Sequence, residues 1–297
     1  MAVETEFAEL APTVRTTRAA ATRKPALSPY LVASYAILIV AGITSVIPFL
    51  YVLSTSLKDN AALFSYPPEW IPSKPTLLNF QSLLQDYPYL RWTLNSLIVA
   101  SAVTAVKVVI DSMAGYAFAK MTFPGKDILF LIVLMTLMVP FAATLIPLFL
   151  IVRGLGLTNS YLGLILPALA SPIGIFMMRQ FIESLPTDLE NAARLDGCSE
   201  FQIYRRVILP LIKPGLVVLG VFTFMNQWTS YLWPLVINTK SEMMTITVGI
   251  QSLRSLFTVD WGILSAGAVL SMLPLVLVFI FLQRYFIAGS IAGALKE

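Results

Sequence analysis

Charge-free stretches divide this chain. Leu31–Leu53, Ile128–Val152, Gly154–Met178, Pro214–Thr239 and Trp261–Gln283 run for 23, 25, 25, 26 and 23 residues without Asp, Glu, Lys or Arg. A helix rising about 1.5 Å per residue needs about 20 such residues to cross roughly 30 Å of hydrocarbon. A sixth stretch is uncharged from Trp92 to Val106 and continues past Lys107 and Asp111 to Gly115-Tyr116-Ala117-Phe118-Ala119. The runs are continuous rather than alternating, which argues against the strands of a membrane barrel. The pattern predicts an all-α membrane protein. Six spans occupy residues 31–285, between a polar tail over 1–30 and a second tail over 286–297, and a charged loop covers 179–213.

Composition narrows the chemistry. Of the 297 residues 57% are hydrophobic and only 12% charged, against about 25% charged in a soluble domain. The chain has no histidine and a single cysteine, Cys198. That removes an imidazole base, a Ser-His-Asp triad, an imidazole or thiolate metal site and an internal disulfide. The net charge of +4 is small and dispersed, so nucleic acid is not an expected partner. The tail before Leu31 mixes Glu4, Glu6 and Glu9 with Arg15, Arg18, Arg23 and Lys24 and holds no apolar signal-peptide core. With the N-terminus inside, inner segments carry 13 Lys and Arg and outer segments 6, which places both termini in the cytoplasm.

Polar residues within the spans are the first candidates for function. Asn226, Gln227, Trp228 and Tyr231 cluster in the fifth stretch. Amides can bond the hydroxyls of a polyhydroxylated solute, and an aromatic face can cover its C–H surface. The alternative is interhelical hydrogen bonding with Trp228 as packing. Lys107 and Asp111 stand at i, i+4 and share a helix face. A local ion pair, with Lys107 snorkelling to the cytoplasmic interface, competes with an ion relay. Seven prolines, among them Pro140, Pro167, Pro172 and Pro234, lie inside the stretches. They fit either a solute pathway or a kinked bundle of any kind.

The cytoplasmic loop is dense in helix signals. Thr187-Asp188-Leu189-Glu190 and Ser199-Glu200-Phe201-Gln202 each form a capping box. Leu185, Leu189, Ala192 and Ala193 make one apolar stripe, and Gly197 can take the positive φ that ends a helix. Two short helices joined by a glycine turn are predicted, with Pro210 interrupting the second. A surface hairpin with no partner would show the same periodicity.

The run Glu190-Asn191-Ala192-Ala193-Arg194-Leu195-Asp196-Gly197, followed after nine residues by Val207-Ile208-Leu209-Pro210, resembles the signature loop of ATP-binding-cassette (ABC) importer permeases. Asn191 and Val207 depart mildly from that signature. Gly115-Tyr116-Ala117-Phe118-Ala119-Lys120 through Lys126, and Gln227-Trp228-Thr229-Ser230-Tyr231-Leu232-Trp233-Pro234-Leu235, resemble segments of the carbohydrate, or maltose-type, branch. Trp228-Thr229-Ser230 departs from that branch's usual pattern.

The resemblance implies type I importer permease architecture and half of a pathway for a carbohydrate or similar polar solute. The expected partners are a second permease subunit, two cytoplasmic ATPase subunits and an extracytoplasmic binding protein. Leu189, Glu190, Ala192, Ala193, Asp196 and Gly197 would couple to the ATPase, with Glu190 meeting a basic residue on it. ATP and Mg would act on those partners. This chain has no phosphate-binding loop, because Gly125-Lys126 is followed by Asp127 and Lys120 stands where the first glycine belongs. The alternative class is an ion-coupled secondary transporter, for which only Lys107 and Asp111 offer ionisable groups within the spans.

Overall fold

The computed structural model describes residues 29–59, 63, 65–67, 69–169, 171–254 and 259–294, with side chains described up to 283. The tail expected over 1–30 lies outside the described residues except for its last two, which open the first helix. That helix, α1 (Pro29–Ser56), is uncharged throughout; its residues up to Phe49 form one unit and Leu50 onward another.

In the second unit a short helix, α2 (Leu78–Asp86), precedes α3 (Tyr89–Lys120), which runs 32 residues without a break. The third stretch divides into α4 (Lys126–Met135) and α5 (Phe141–Gly154), bent by 100°. Pro140 sits at the bend in extended conformation (φ −65°, ψ 135°) and cannot donate the bond a continuous helix needs. The fourth divides into α6 (Tyr161–Ala168) and α7 (Pro172–Glu183). Among the described residues α1, α3 and the stretch Trp261–Gln283 are each long and apolar enough to cross a membrane, and counting each bent pair as one span gives six.

The loop is the predicted hairpin. Helix α8 (Asp188–Leu195) is followed by Gly197 at φ 79°, then α9 (Glu200–Ile203). The backbone widens over Tyr204–Ile208, where the Leu209 N–H reaches back five residues to the Tyr204 carbonyl. A proline ring collides with the carbonyl four residues before it; the wide turn makes room, so helix α10 (Leu209–Leu211) continues through Pro210 rather than stopping there.

The chain bends again at Ile212 into α11 (Lys213–Trp228), breaks at Thr229–Tyr231, and resumes as α12 (Leu232–Ile237). The uninterrupted fifth span expected over Pro214–Thr239 is therefore two helices. Helix α13 (Ile246–Ser252) precedes α14 (Trp261–Ala294), whose backbone stays helical through most of the expected tail from residue 286. Helix α3 is the spine of the unit and packs most extensively against α7 and α11.

Candidate functional site

Two regions carry chemistry, and α3 touches both. The first is the hairpin. Ser112, Tyr116 and Lys120 stand at i, i+4 and i+8 on the last turns of α3, so they share one face. Each bonds to the hairpin: the Ser112 and Tyr204 hydroxyls lie 2.8 Å apart, Tyr116 donates to Glu200 Oε2 at 2.7 Å, and Lys120 Nζ meets Glu190 Oε1 at 2.9 Å. Lys120 also donates to the Leu185 carbonyl at 2.8 Å. Arg194 closes the network. It lies 2.9 Å from Glu200 Oε1, 3.7 Å from Glu190 Oε2, and 3.2 Å from Asn191 Oδ1. The Arg194 guanidinium, followed by the Tyr116 hydroxyl, holds the Glu200 carboxyl below the usual carboxylate range.

The Glu190 side chain is fully buried, and its carboxylate pairs with Lys120 and Arg194 within the chain. One expectation about this loop needs correcting. Thr187-to-Glu190 is not a capping box, since Thr187 makes no side-chain cap bond. Its backbone is already helical (φ −70°, ψ −20°), whereas a cap requires extended geometry, and Lys120 draws Glu190 inward and away. The second box forms fully, with Ser199 accepting from the Gln202 N–H and the Gln202 side chain accepting from the Ser199 N–H at 2.8 Å.

The apolar stripe also divides. Ala193 packs inward, while Leu189 and Ala192 face outward with Asp196 and Gly197. Leu195 is 91% exposed and Phe201 59% exposed. Periodicity did not single out these two; their signal is large apolar side chains placed against the inward stripe.

The second region is a cavity of about 730 Å³ bounded by α3, α5, α7 and α11. Two of the helix breaks open onto it, through Ala168 and Ser171 and through Ser230 and Tyr231. Pro234 has no N–H for the Ser230 carbonyl four residues back, and Thr247 Oγ1 donates to that carbonyl instead, at 2.6 Å. Irregular backbone at membrane depth is stable where it lines such a space. Asn226, Gln227 and Tyr231 line the cavity, joined by Thr223 and Ser230.

Trp228 does not line it. It is 2% exposed, stacks on Phe224 at 5.8 Å, and donates from Nε1 to the Ser271 carbonyl at 3.0 Å. One step along the helix, about 100°, carries Trp228 round to the α14 side while Gln227 faces the cavity, so Trp228 packs against α14.

Lys107 does line the cavity, which the sequence did not reveal. The expected ion pair forms, with Nζ 3.1 Å from Asp111 Oδ2. Snorkelling does not, because Lys107 is 4% exposed. Helix α3 continues 13 residues beyond it to Lys120, about 20 Å at 1.5 Å per residue, which is more than the side chain can reach.

A bent-helix bundle with a cavity at its helix breaks and a braced hairpin suits a multi-pass membrane transport component. Residues 111–289 match the model of the binding-protein-dependent transport system inner membrane component, and the chain belongs to that family. It is 34% identical over 276 residues to the arabinooligosaccharides transport system permease protein AraQ of Bacillus subtilis (strain 168), covering 92% of this chain and 98% of that one. It is 32% identical over 266 residues to the lactose transport system permease protein LacG of Rhizobium radiobacter, covering 89% and 96%.

A solved bacterial ABC transporter that imports the acidic polysaccharide alginate has the same fold. Its TM-score is 0.78 at 23% identity, covering 86% of this chain and 96% of that one. The chain is thus a carbohydrate-type permease subunit of a binding-protein-dependent ABC importer with type I architecture. The ion-coupled alternative falls with that membership.

Proposed function

We propose that this chain supplies half of a transmembrane pathway completed by a second permease subunit. The hairpin over 188–208 docks one of two cytoplasmic ATPase subunits, on which ATP and Mg act. An extracytoplasmic binding protein delivers the solute, and both termini lie in the cytoplasm. The solute is a carbohydrate or a similarly hydroxylated molecule, in keeping with relatives named for arabinooligosaccharides and lactose and with Asn226, Gln227, Ser230 and Tyr231 at the cavity wall.

The observation that carries the docking assignment is the hairpin's division of labour. Its charges at Glu190 and Glu200 are paired within the chain by Lys120, Arg194 and Tyr116, while Leu189, Leu195 and Phe201 stand exposed. Large apolar side chains on a braced support suit a partner groove. Partner contact therefore rests on Leu189, Ala192 and Leu195, with Glu190 holding them in place.

Changing Leu189 and Leu195 to Asp tests this. The ATPase subunits should co-purify at a level lower by about tenfold or more, with the permease's own thermal melting unchanged. Retention of the ATPase at the wild-type level would refute the assignment.

A further inference from the structure

Past the end of α1 the chain turns back and fastens itself to that helix. Residues 69–76 form a strap. Ser54 Oγ donates to the Trp70 carbonyl at 2.5 Å, Lys58 Nζ donates to the Glu69 carbonyl, and the Thr76 N–H donates to the Leu57 carbonyl at 2.8 Å. The Trp70 ring meets the Tyr51 ring edge-on, with centroids 5.6 Å apart. The Lys58 ammonium stands 5.6 Å from the centroid of the same Tyr51 ring. Glu69 is occupied within the strap, its carboxylate accepting from the Ser73 N–H at 3.3 Å and the Ser73 hydroxyl at 3.2 Å. Polar groups thus tie the strap to the helix end, yet Trp70 is 65% and Ile71 85% exposed.

The depth of the strap says what covers those two side chains. Helix α1 has 28 residues, and no charged residue stands between Lys24 and Lys58. Hydrocarbon takes about 20 helical residues, so the last turn of α1 stands in the headgroup layer. Tyr51 precedes the helix end at Ser56 by about 8 Å at 1.5 Å per residue, which puts it at the boundary between acyl chains and headgroups. Trp70, held against Tyr51, shares that depth. At such a boundary an indole lays its ring on acyl chains and turns its N–H to the headgroups. Ile71 adds an aliphatic side chain beside it, and the exposed Ser73 and Lys74 follow. A bilayer surface accepts apolar side chains with a lysine close behind.

We propose that the strap is a lipid-seated anchor: Trp70 and Ile71 bed in the interfacial layer of the bilayer and fix the depth at which α1 ends. The leaflet rests on the orientation read above, which with both termini in the cytoplasm makes it the outer one.

The test uses the assembled transporter in proteoliposomes, with Cys198 and the partners' cysteines replaced. A nitroxide is attached at Ile71→Cys or at Lys74→Cys, and its access to oxygen, which concentrates in the bilayer, is compared with its access to a water-soluble nickel chelate. The oxygen-to-nickel ratio at Ile71→Cys should be severalfold higher than at Lys74→Cys. Equal ratios would overturn the inference. So would a label at Ile71→Cys shielded from both reagents, which marks a second permease subunit over the strap, or one shielded only when the binding protein is added, which marks that protein as the occupant.

A second measurement keeps Ile71 and Lys74 native. Lipids brominated near the headgroup end of their chains should quench part of the transporter's tryptophan emission, and Trp70→Phe should remove a share of the quenched signal. An unchanged quenched signal would overturn the anchor. Sidedness is read separately, by a membrane-impermeant maleimide that should reach Lys74→Cys from outside. Reaction from inside alone would overturn the orientation, while the oxygen-to-nickel ratio still decides the anchor.

Discussion

Replacing Lys120 with Met probes the brace behind the hairpin. The substitution removes the ammonium 2.9 Å from Glu190 Oε1 and the donor to the Leu185 carbonyl. Lys120 is 7% and Glu190 0% exposed at the side chain, so water cannot step in. Breaking a buried pair from one side costs about 3–5 kcal/mol, because the remaining charge is left uncompensated. Arg194 Nη2, at 3.7 Å from Oε2 and partly exposed, offsets some of that, which favours the lower end, about 3 kcal/mol. At about 1.4 kcal/mol per decade, the hairpin should open roughly a hundred times more often.

Hydrogen exchange over residues 188–208, read by mass spectrometry on the purified permease, should accelerate by that factor, with the core of α3 unchanged. Adding Glu190→Leu to the Lys120→Met protein should restore much of the protection, because an apolar pair carries no orphaned charge. If Lys120→Met exchanges within twofold of the wild type, or the double variant is no better protected than the single, the brace is not what holds the hairpin.

Two further outcomes follow from the same geometry. Gly197→Val should destabilise the turn by about 1–2 kcal/mol through backbone strain alone, since φ is 79° and nothing lies within 4 Å of an added Cβ; the same exchange measurement should show Gly197→Asn recovering most of the loss. Trp228→Phe should lower the melting temperature through loss of the bond to Ser271, about 1 kcal/mol, while sugar affinity stays at the wild-type value. A loss of affinity without loss of stability would return Trp228 to the pathway.

The parts legible in the sequence were those governed by solvent. Charge-free runs located the spans, because a bilayer tolerates few ionisable groups. Short-range signals also served: the Ser199–Gln202 box and the positive φ at Gly197 need only a few residues to specify. What stayed hidden depended on which face met which neighbour. Thr187 through Glu190 has the letters of a capping box, yet Lys120, 70 positions earlier, competes for the same carboxylate and wins. Asn226, Gln227 and Trp228 are adjacent, but each step along a helix turns by about 100°, so two face the cavity and one the core. The count from Trp92 puts Lys107 about 22 Å along the helix and so near an interface; the helix begins at Tyr89 but continues to Lys120.

The continuity of α3 links the two regions. Lys107 meets the cavity, Asp111 fills the space left by Gly174, and Ser112, Tyr116 and Lys120 hold the hairpin. All five belong to one unbroken helix without an internal proline. An intact helix resists compression along its axis, since each turn is closed by backbone hydrogen bonds. Force applied at the hairpin therefore reaches the cavity, about 20 Å away, as motion of a rigid rod rather than through a chain of flexible contacts. Other elements at the cavity are broken where α3 is not, between α6 and α7 and at Thr229–Tyr231. Breaks let those walls change angle while the rod keeps its length. A ligand shifts such an equilibrium only if its contacts differ between the two arrangements, and a cavity lined both by the rod and by amides beside a break meets that condition.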